Sequence, residues 1–296
     1  MKKKESAIAV LFGGRSSEHE ISLRSALHIL KNIPIKYNII PVAITRDGLF
    51  QSLTGNFTSQ DFKNITTQDL ALIVDGKGLS SFPQSKNVKS LFYPIQNKYL
   101  FQENNHSFRN LNAETLSVFP VLHGPNGEDG RLQALFELAE IPYVGCDIRA
   151  SVVGIDKDIQ KRLVRAAGIP VAQYETVELD EFEQNKQQVL QKIENTINYP
   201  CFIKPNALGS AVGSGKAKNR AELEQKLTSA LCFDSKALVE ELLVGTEVEC
   251  GFLGTPALPR VTTAGEIATE NFYSYEEKYS DSSQAKLFVP ARLDDK

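Results

Sequence analysis

The chain has 296 residues, of which 42% are hydrophobic and 23% charged, so it is long enough for two or three globular domains. Its 33 basic and 36 acidic residues are interspersed and give a net charge of −3, which excludes an extended basic surface for nucleic acid or anionic lipid. The apolar run at 7–12 is too short for a signal peptide, and no apolar stretch approaches the ~20 residues that cross a bilayer. We therefore expect a cytoplasmic protein that binds neither nucleic acid nor membrane.

The first half of the chain predicts strands that alternate with helices. The run AIAVLF at 7–12 predicts a strand, and the loop GGRSSEHEIS then leads into the amphipathic helix LRSALHIL. Strands are also predicted at 37–44 and 116–122, the second followed by HGPNGEDG and the helical RLQALFELAE. This order is typical of a mostly parallel sheet covered on both faces. The polar stretch 51–112 is less periodic and would fit an insertion with short strands of its own.

The second half predicts an α+β arrangement. The helix DKDIQKRLVRAAG should end at Gly168, because a proline follows two residues later. The following predicted elements are a strand at 171–176, a helix at 180–195, a strand at 201–204, a glycine-rich hairpin, a helix at 221–231 and a strand at 237–241. From residue 245 the segment EVECGFLG alternates as an antiparallel strand, before the polar, aromatic loop NFYSYEEKYSDSSQAK.

The four cysteines form no C-x-x-C pair, and the four histidines show no metal-ligand spacing. We expect Cys146, Cys201, Cys232 and Cys250 to be buried free thiols. Cys201 and Cys250 lie in apolar or alternating runs, which favours packing in the core over catalysis.

The segment CFIKPNALGSAVGSGKAK is the most informative in the chain. Its apolar strand ends at Lys204, and the glycines that follow would let backbone N–H groups converge on phosphate oxygens. A Walker loop is excluded because Ser210 stands where glycine is required and Ala217 replaces the hydroxyl residue. A plain glycine-rich β-hairpin explains the same residues as well as a phosphate-binding loop does.

This loop resembles the glycine-rich loop of ATP-grasp enzymes, and four further segments resemble D-alanine–D-alanine ligases in order and spacing. They are GGRSSEHEIS (13–22), HGPNGEDGRLQ (123–133), GIDK (154–157) and EEKY (276–279). The resemblance covers nearly the whole chain outside 51–112. It implies an α/β fold with a Rossmann-like, parallel-sheet substrate-binding domain at 1–145. An ATP-grasp α+β subdomain at 146–235 and an incomplete C-terminal ATP-grasp subdomain at 236–296 would follow.

The resemblance implies that Lys157 and Lys204 bind the phosphates of ATP. For Lys157, a solvated lysine on a helix face is the alternative interpretation. Ser210 would belong to the ATP site, and the backbone N–H of Ala211 and Lys278 would contact the γ-phosphate. The family commonly has a second serine where this chain has Ala211, so only the backbone N–H is available here for that contact.

The adenine base would be bound at the segment ALVEELLVGTE, by Glu240 and by the backbone near Glu241 and Leu242. Glu247 would accept hydrogen bonds from the ribose hydroxyls, and Phe272 would belong to the same ATP site. A buried strand with acidic residues at its solvent edge is the alternative explanation of this segment.

For the amino-acid substrate, Glu18 follows the first strand, at the edge where open α/β sheets bind ligands. The resemblance implies that Glu18 holds the ammonium group of the first D-alanine and that His123 approaches its carboxylate. Ser210 and Tyr279 would join Glu18 in a catalytic hydroxyl–carboxylate network that closes over the substrates and excludes water. His19 and Glu20 have weaker claims, since Glu20 could simply favour the start of the following helix.

The implied reaction joins two D-alanines through an acyl phosphate, with ATP and two Mg²⁺ (or Mn²⁺) ions, for peptidoglycan synthesis. We expect ATP and D-alanine as ligands and a homodimer. Three alternatives remain: a ligase that joins D-alanine to D-lactate or D-serine, another ATP-grasp ligase, and a non-catalytic nucleotide-binding remnant. Tyr279 argues against the first, because such ligases tend to lack it.

Family members continue for several dozen residues beyond the segment matching VPARL. Those residues carry the magnesium ligands and an arginine that stabilises the developing oxyanion, so the metal ligands are expected beyond residue 296. Because phosphoryl transfer depends on charge neutralisation by the metal, we predict that this 296-residue chain does not catalyse ligation.

Overall fold

The computed structural model describes residues 6–52, 57–75, 86–90, 102–103, 116–255, 257–268 and 286–293. The chain divides into two compact units, Met1–Asp156 and Lys157–Lys296. Within the described ranges, no helix is long and apolar enough to cross a membrane.

The first unit is built on a six-stranded sheet of order β5-β4-β3-β2-β1-β6. Its strands are β1 (Ala7–Gly13), β2 (Asn38–Ile44), β3 (Phe50–Ser52), β4 (Lys86–Ser90), β5 (Gln102–Glu103) and β6 (Leu116–Val121). Its helices are α1 (His19–Asn32), α2 (Thr67–Val74), α3 (Arg131–Leu138) and α4 (Ile148–Ile155), with a 3₁₀ turn at Ser59–Phe62.

Strand β1 explains why helices cover both faces of this sheet. Its side chains alternate, so Val10 and Phe12 pack with α1 and α2 on one face, while Ala9 and Leu11 pack with α3 on the other. The predicted coverage of both faces is confirmed. The parallel arrangement holds for β2, β1 and β6, whereas β3, β4 and β5 extend the sheet with antiparallel pairings. These last three strands fall in or beside the polar stretch 51–112, where short strands were expected.

The second unit contains a four-stranded antiparallel sheet of order β7-β10-β8-β9. Its strands are β7 (Tyr174–Glu178), β8 (Cys201–Pro205), β9 (Gly215–Ala217) and β10 (Lys236–Glu241). The helices are α5 (Lys157–Ala166), α6 (Leu179–Thr196) and α7 (Arg220–Leu231). Strand β7 begins three residues later than predicted, at Tyr174, where its pairing with Glu240 begins.

One face of this sheet packs against α6 and α7, and the opposite face carries Lys204 and Glu240. Ile203 of β8 and Val239 of β10 lie in the core with both helices. Because neighbouring residues of a strand point to opposite faces, Lys204 and Glu240 both point away from that core.

The remaining described residues form small sheets. Strands β11 (Glu247–Glu249), β14 (Gly265–Ala268) and β15 (Lys286–Phe288) form one, and β12 (Phe252–Thr255) pairs with β13 (Leu258–Val261) in another. The segment EVECGFLG is antiparallel as predicted, but it forms two strands, β11 and β12, that belong to different sheets. It breaks at Cys250–Gly251, where the N–H of Gly251 donates to the hydroxyl of Thr262 (2.7 Å).

The prediction of buried thiols is confirmed only for Cys201, whose burial raises its pKa to about 11. Cys146, Cys232 and Cys250 are exposed. Cys250 lies between β11 and β12, and every residue of these two strands is exposed as well. Cys232 caps the C-terminal end of α7.

Candidate active site

The loop between β1 and α1 is fixed by short-range contacts that depend on glycine. Gly13 and Gly14 have φ angles of +91° and +96°, in the left-handed region. A Cβ atom on Gly13 would lie 2.3 Å from the carbonyl oxygen of Ile44, so β2 leaves no room for a side chain. The buried ring of His19 contacts the Gly14 carbonyl through Nδ1 (2.8 Å), which gives this histidine a structural role.

Glu18 and His123 are brought together at the carboxyl edge of the parallel strands. Glu18 is buried immediately before α1, and His123 follows β6, the neighbour of β1. The hydroxyl of Ser16 joins their two loops, because it accepts from the N–H of Glu18 (3.1 Å) and donates to the His123 carbonyl (2.9 Å). A Cβ atom on Gly124 would lie 2.5 Å from Oε2 of Glu18, so the two loops are in close contact.

The imidazole of His123 lies between two residues that carried no predicted role. Its Nε2 lies 3.1 Å from the hydroxyl of Ser25, and its Nδ1 lies 3.9 Å from Oε1 of Glu128. Glu128 also accepts from the N–H of Gly124 (2.9 Å). Partial burial raises the pKa of Glu128, whose side chain is still 45% exposed; the nearby carboxylate of Glu18 raises it further, and the Gly124 hydrogen bond and His123 oppose the shift. These contacts fix the histidine beside a cleft of about 840 Å³ lined by Ser25, His123 and Glu128.

Glu20, a weaker candidate, is exposed and forms an ion pair with Arg46 (2.5 Å). It lies in the first turn of α1, where a carboxylate favours the helix N-terminus. The described structure gives it no contact with the other candidate residues.

In the second unit, Lys204 and Glu240 lie side by side on the face of the sheet opposite α6 and α7. The register pairs Leu238 with Lys204, so Glu240 is the diagonal cross-strand neighbour of the lysine. The ammonium of Lys204 donates to Oε2 of Glu240 at 2.8 Å. A second lysine, Lys161 of α5, lies 3.1 Å from Oε1 and was not predicted. Glu240 is thus a buried carboxylate between two cations.

The structure also brings Lys157 to the beginning of the glycine-rich loop. Its ammonium donates to the carbonyls of Leu208 (2.5 Å) and Asn206 (3.2 Å). The side chain of Asn206 accepts from the N–H of Asp158 (3.0 Å), which fixes the first turn of α5 against the loop. Lys157 on α5 and Lys204 on β8 therefore both lie near the start of the glycine-rich loop.

Ser210 and Ala211 have φ angles of +50° and +57°, left-handed conformations that non-glycine residues rarely adopt. Each residue in this conformation costs on the order of 1–3 kcal/mol of stability, and such residues occur mainly at functional sites. Strands β8 and β9 on either side do pair as a hairpin. Within this connection the N–H of Val212 donates to the Gly209 carbonyl (3.2 Å), which closes a tight turn with Ser210 and Ala211 as its central residues.

Asp158 holds the start of α5 to the sheet. Its buried carboxylate accepts from Arg162 (2.8 Å) and Tyr174 (3.1 Å) and lies 3.5 Å from the ammonium of Lys236. Burial acts to raise the pKa of Asp158, but the hydrogen bonds from Arg162 and Tyr174 outweigh it, and the pKa lies below its usual value. The helical pattern alone gave no reason to expect a buried aspartate here.

The other predicted ATP residues are less well assembled. Glu241 is exposed, and its N–H donates to the carbonyl of Gln173 (3.0 Å), so a bond from this N–H to adenine would require that contact to break. Leu242 is partly buried, and Glu247 is exposed on β11. Phe272, Lys278 and Tyr279 lie outside the described residues.

The geometry defines a class of protein: a mixed α/β unit with polar groups at its strand ends, and an antiparallel α+β unit with lysines around a strained glycine-rich loop. Residues 7–146 match the family described as "D-ala D-ala ligase N-terminus", and residues 163–296 match the "D-ala D-ala ligase C-terminus".

Curated relatives carry the same name. The D-alanine–D-alanine ligase of Caldicellulosiruptor bescii is 38% identical over 97% of this chain and 73% of the relative. That of Acetivibrio thermocellus is 39% identical over 97% of this chain and 74% of the relative.

Among solved structures, the VanG D-Ala:D-Ser ligase from Enterococcus faecalis is similar with a TM-score of 0.78 and 36% identity, covering 98% of this chain and 78% of that one. The D-alanine–D-alanine ligase from Coxiella burnetii has a TM-score of 0.71 and 28% identity, with coverage of 90% and 69%. The chain belongs to the D-alanine–D-alanine ligase family, and the predicted ATP-grasp fold class is confirmed.

Proposed function

We propose that this protein uses ATP to join two molecules of D-alanine into D-alanyl-D-alanine, the dipeptide used in peptidoglycan synthesis. The observation that carries the proposal is the arrangement of Lys157 and Lys204 around the strained loop that contains Ser210, in a chain of this family. In the first step, a carboxylate oxygen of one D-alanine attacks the γ-phosphorus and ADP leaves. In the second step, the amine of another D-alanine attacks the acyl carbon, and inorganic phosphate leaves.

The amino-acid site is proposed at Glu18 and His123. The carboxylate of Glu18 would bind the ammonium group of the first D-alanine, and His123 would lie near its carboxylate. Glu128 and Ser25 orient the ring of His123, and Ser16 keeps both loops at a fixed separation. A carboxylate and an ammonium group form a charge-assisted contact, which is stronger than a hydrogen bond between neutral groups.

The nucleotide site is proposed beside Lys204 and Glu240, on the face of the antiparallel sheet opposite α6 and α7. Lys157 and Lys204 would bind phosphate oxygens, and Ser210 with the N–H of Ala211 would contact the γ-phosphate. Glu240 fits a nucleotide base, because its Oε1 atom is buried and, although the ammonium of Lys161 lies 3.1 Å away, accepts no aligned hydrogen bond from any described residue. The amino group of adenine is a donor of the required kind.

The remaining proposed contacts come from other segments. Glu241, Leu242 and Glu247 would complete the adenine and ribose contacts, and Phe272 and Lys278 would belong to the same ATP site. Tyr279 would close with Ser210 and Glu18 over the substrates and exclude water from the acyl phosphate.

The family uses ATP and Mg²⁺. Among the residues that the structure describes, no three or more histidine, cysteine, aspartate or glutamate side chains form a group that could hold a metal ion. No step above is therefore assigned to a metal ligand of this chain.

A second candidate function is the ligation of D-alanine to D-serine. The observation that favours it is the similarity to the VanG D-Ala:D-Ser ligase, at a TM-score of 0.78. Tyr279 favours D-alanine as the second substrate, since ligases of the alternative kinds tend to lack this residue.

Product analysis separates the two candidates. The chain is continued with the C-terminal residues of the Caldicellulosiruptor bescii relative, and products from ATP with D-alanine, D-serine or D-lactate are identified chromatographically. D-Alanyl-D-alanine with an equal amount of ADP supports the proposal, and a preference for D-alanyl-D-serine supports the alternative. The absence of both products overturns the two candidates. The same assay on the 296-residue chain tests the prediction that it does not catalyse ligation.

A further inference from the structure

The carboxylate of Glu240 lies between two lysines, of which only Lys204 is assigned to the ATP phosphates. The side chain of Glu240 is 6% exposed, with Lys204 2.8 Å from one oxygen and Lys161 3.1 Å from the other. Two cations therefore face one buried anion, and the more exposed cation is Lys204, at 32%.

This arrangement has a consequence for how Lys204 reaches a phosphate. Removing one partner of a buried ion pair is strongly unfavourable, because it leaves a charge without compensation. With Lys204 alone beside Glu240, any movement of its ammonium toward phosphate would leave the carboxylate unpaired. With Lys161 in place, the carboxylate keeps a cation when Lys204 moves away.

Lys161 is held at Glu240 by its position on α5. It lies four residues after Lys157, so both lysines occupy one face of the helix. Its ammonium also lies 5.4 Å from the centre of the Tyr174 ring, a distance at which a cation and a ring attract each other. Its side chain is 16% exposed, so it is not an ordinary solvated lysine.

We propose that Lys161 is a positioning residue for nucleotide binding: it neutralises Glu240, so that Lys204 can transfer its hydrogen bond from Glu240 to a phosphate of the nucleotide. The inference rests on the proposed function, because it assumes that Lys204 binds phosphate. Lys161 itself needs no contact with the nucleotide. Its effect should therefore appear only with ligands that carry phosphates.

The test compares the binding of ADP and of adenosine to the full chain by titration calorimetry. Lys161→Met should weaken ADP binding about tenfold and leave adenosine binding within about twofold. Lys161→Arg, which restores a cation, should recover most of the ADP affinity. The matched control is Lys186→Met, which removes a lysine from a surface pair with Glu224 (3.0 Å) and should change neither affinity.

A further variant tests the charge argument itself. A glutamine at position 240 needs no cation, so in the Glu240→Gln background Lys161→Met should change ADP affinity by less than about twofold. Equal weakening of ADP and adenosine, or unchanged ADP affinity in Lys161→Met, would overturn the inference while leaving the nucleotide site intact. Failure of the unmodified chain to bind ADP would instead overturn the proposed function, and this inference with it.

Discussion

Because Gly124 contacts Glu18, we expect Gly124→Ala to reduce both stability and D-alanine binding. Gly124 has a φ angle of +74°, and a Cβ atom there would lie 2.5 Å from Oε2 of Glu18 and 3.7 Å from Cβ of Ser16. The left-handed backbone alone should cost about 1–2 kcal/mol of stability with alanine. In addition, the carboxylate of Glu18 must move by roughly 1 Å to reach ordinary van der Waals separation.

Gly48→Ala is the matched control for this substitution. Gly48 has a φ angle of +88°, but an added Cβ would meet no described atom within 4 Å. Both variants should therefore lose the backbone cost of about 1–2 kcal/mol in the free energy of unfolding, measured by chemical denaturation, and Gly124→Ala should lose more because it also displaces Glu18. Only Gly124→Ala should also weaken D-alanine binding, because it displaces the carboxylate proposed to hold the ammonium group.

The expected loss is that of one charge-assisted hydrogen bond, about 1.5–3 kcal/mol or on the order of 10- to 100-fold in affinity. D-Alanine binding is measured by titration followed by NMR. If Gly124→Ala and Gly48→Ala bind D-alanine equally well, Glu18 does not hold the substrate in the way proposed.

Three further predictions concern single side chains. Lys157→Met should weaken ATP binding on the order of 10- to 100-fold, because it removes a charge-assisted contact; unchanged affinity in calorimetry would assign Lys157 only to the carbonyls of the loop. Partial burial raises the pKa of Glu128 above 4.5 in the folded state. The protonated carboxyl therefore adds stability below pH 4.5, and this contribution should be lost as the pH rises through the raised pKa. In Glu128→Gln, the free energy of unfolding from denaturation curves should no longer fall with pH over this range. An unchanged pH dependence would contradict the raised pKa of Glu128. The hydrogen bonds from Arg292 lower the pKa of Glu266 from 4.5 to about 2, so Glu266 should stabilise the fold above pH 4.5 and lose this effect as pH falls toward 2. In Arg292→Gln, NMR titration should find the pKa of Glu266 near its usual value, and a pKa still near 2 would refute this explanation.

The sequence predicted most of the elements that position the site, because their patterns are local. The strands at Cys201–Pro205 and Lys236–Glu241 are short apolar runs with clear breaks, and α7 has a helical period that ends near Cys232. Antiparallel pairing of β3 was not predictable, since it depends on contacts between distant segments. The break at Cys250–Gly251 was also missed, because alternation continues through it in sequence although the two strands join different sheets.

In the candidate site, too, local motifs were predictable and contacts between distant segments were not. Residues in recognisable motifs, such as Glu18, His123 and Lys204, were named from the sequence. Lys161 and Asp158 were not, because only folding places α5 against β10 and β7, and nothing in the helical pattern marks them as buried. Glu128 lies within the motif HGPNGEDGRLQ at 123–133. Its position beside His123 depends on the geometry of a turn that the motif does not specify.

The central claim is that the second unit binds ATP through Lys204, and a calorimetric titration with a non-hydrolysable ATP analogue tests it most directly. We predict one binding site per chain, weakened on the order of 10- to 100-fold in Lys204→Met because a charge-assisted contact to phosphate is lost. No binding by the unmodified chain, or equal affinity in the two proteins, would contradict it.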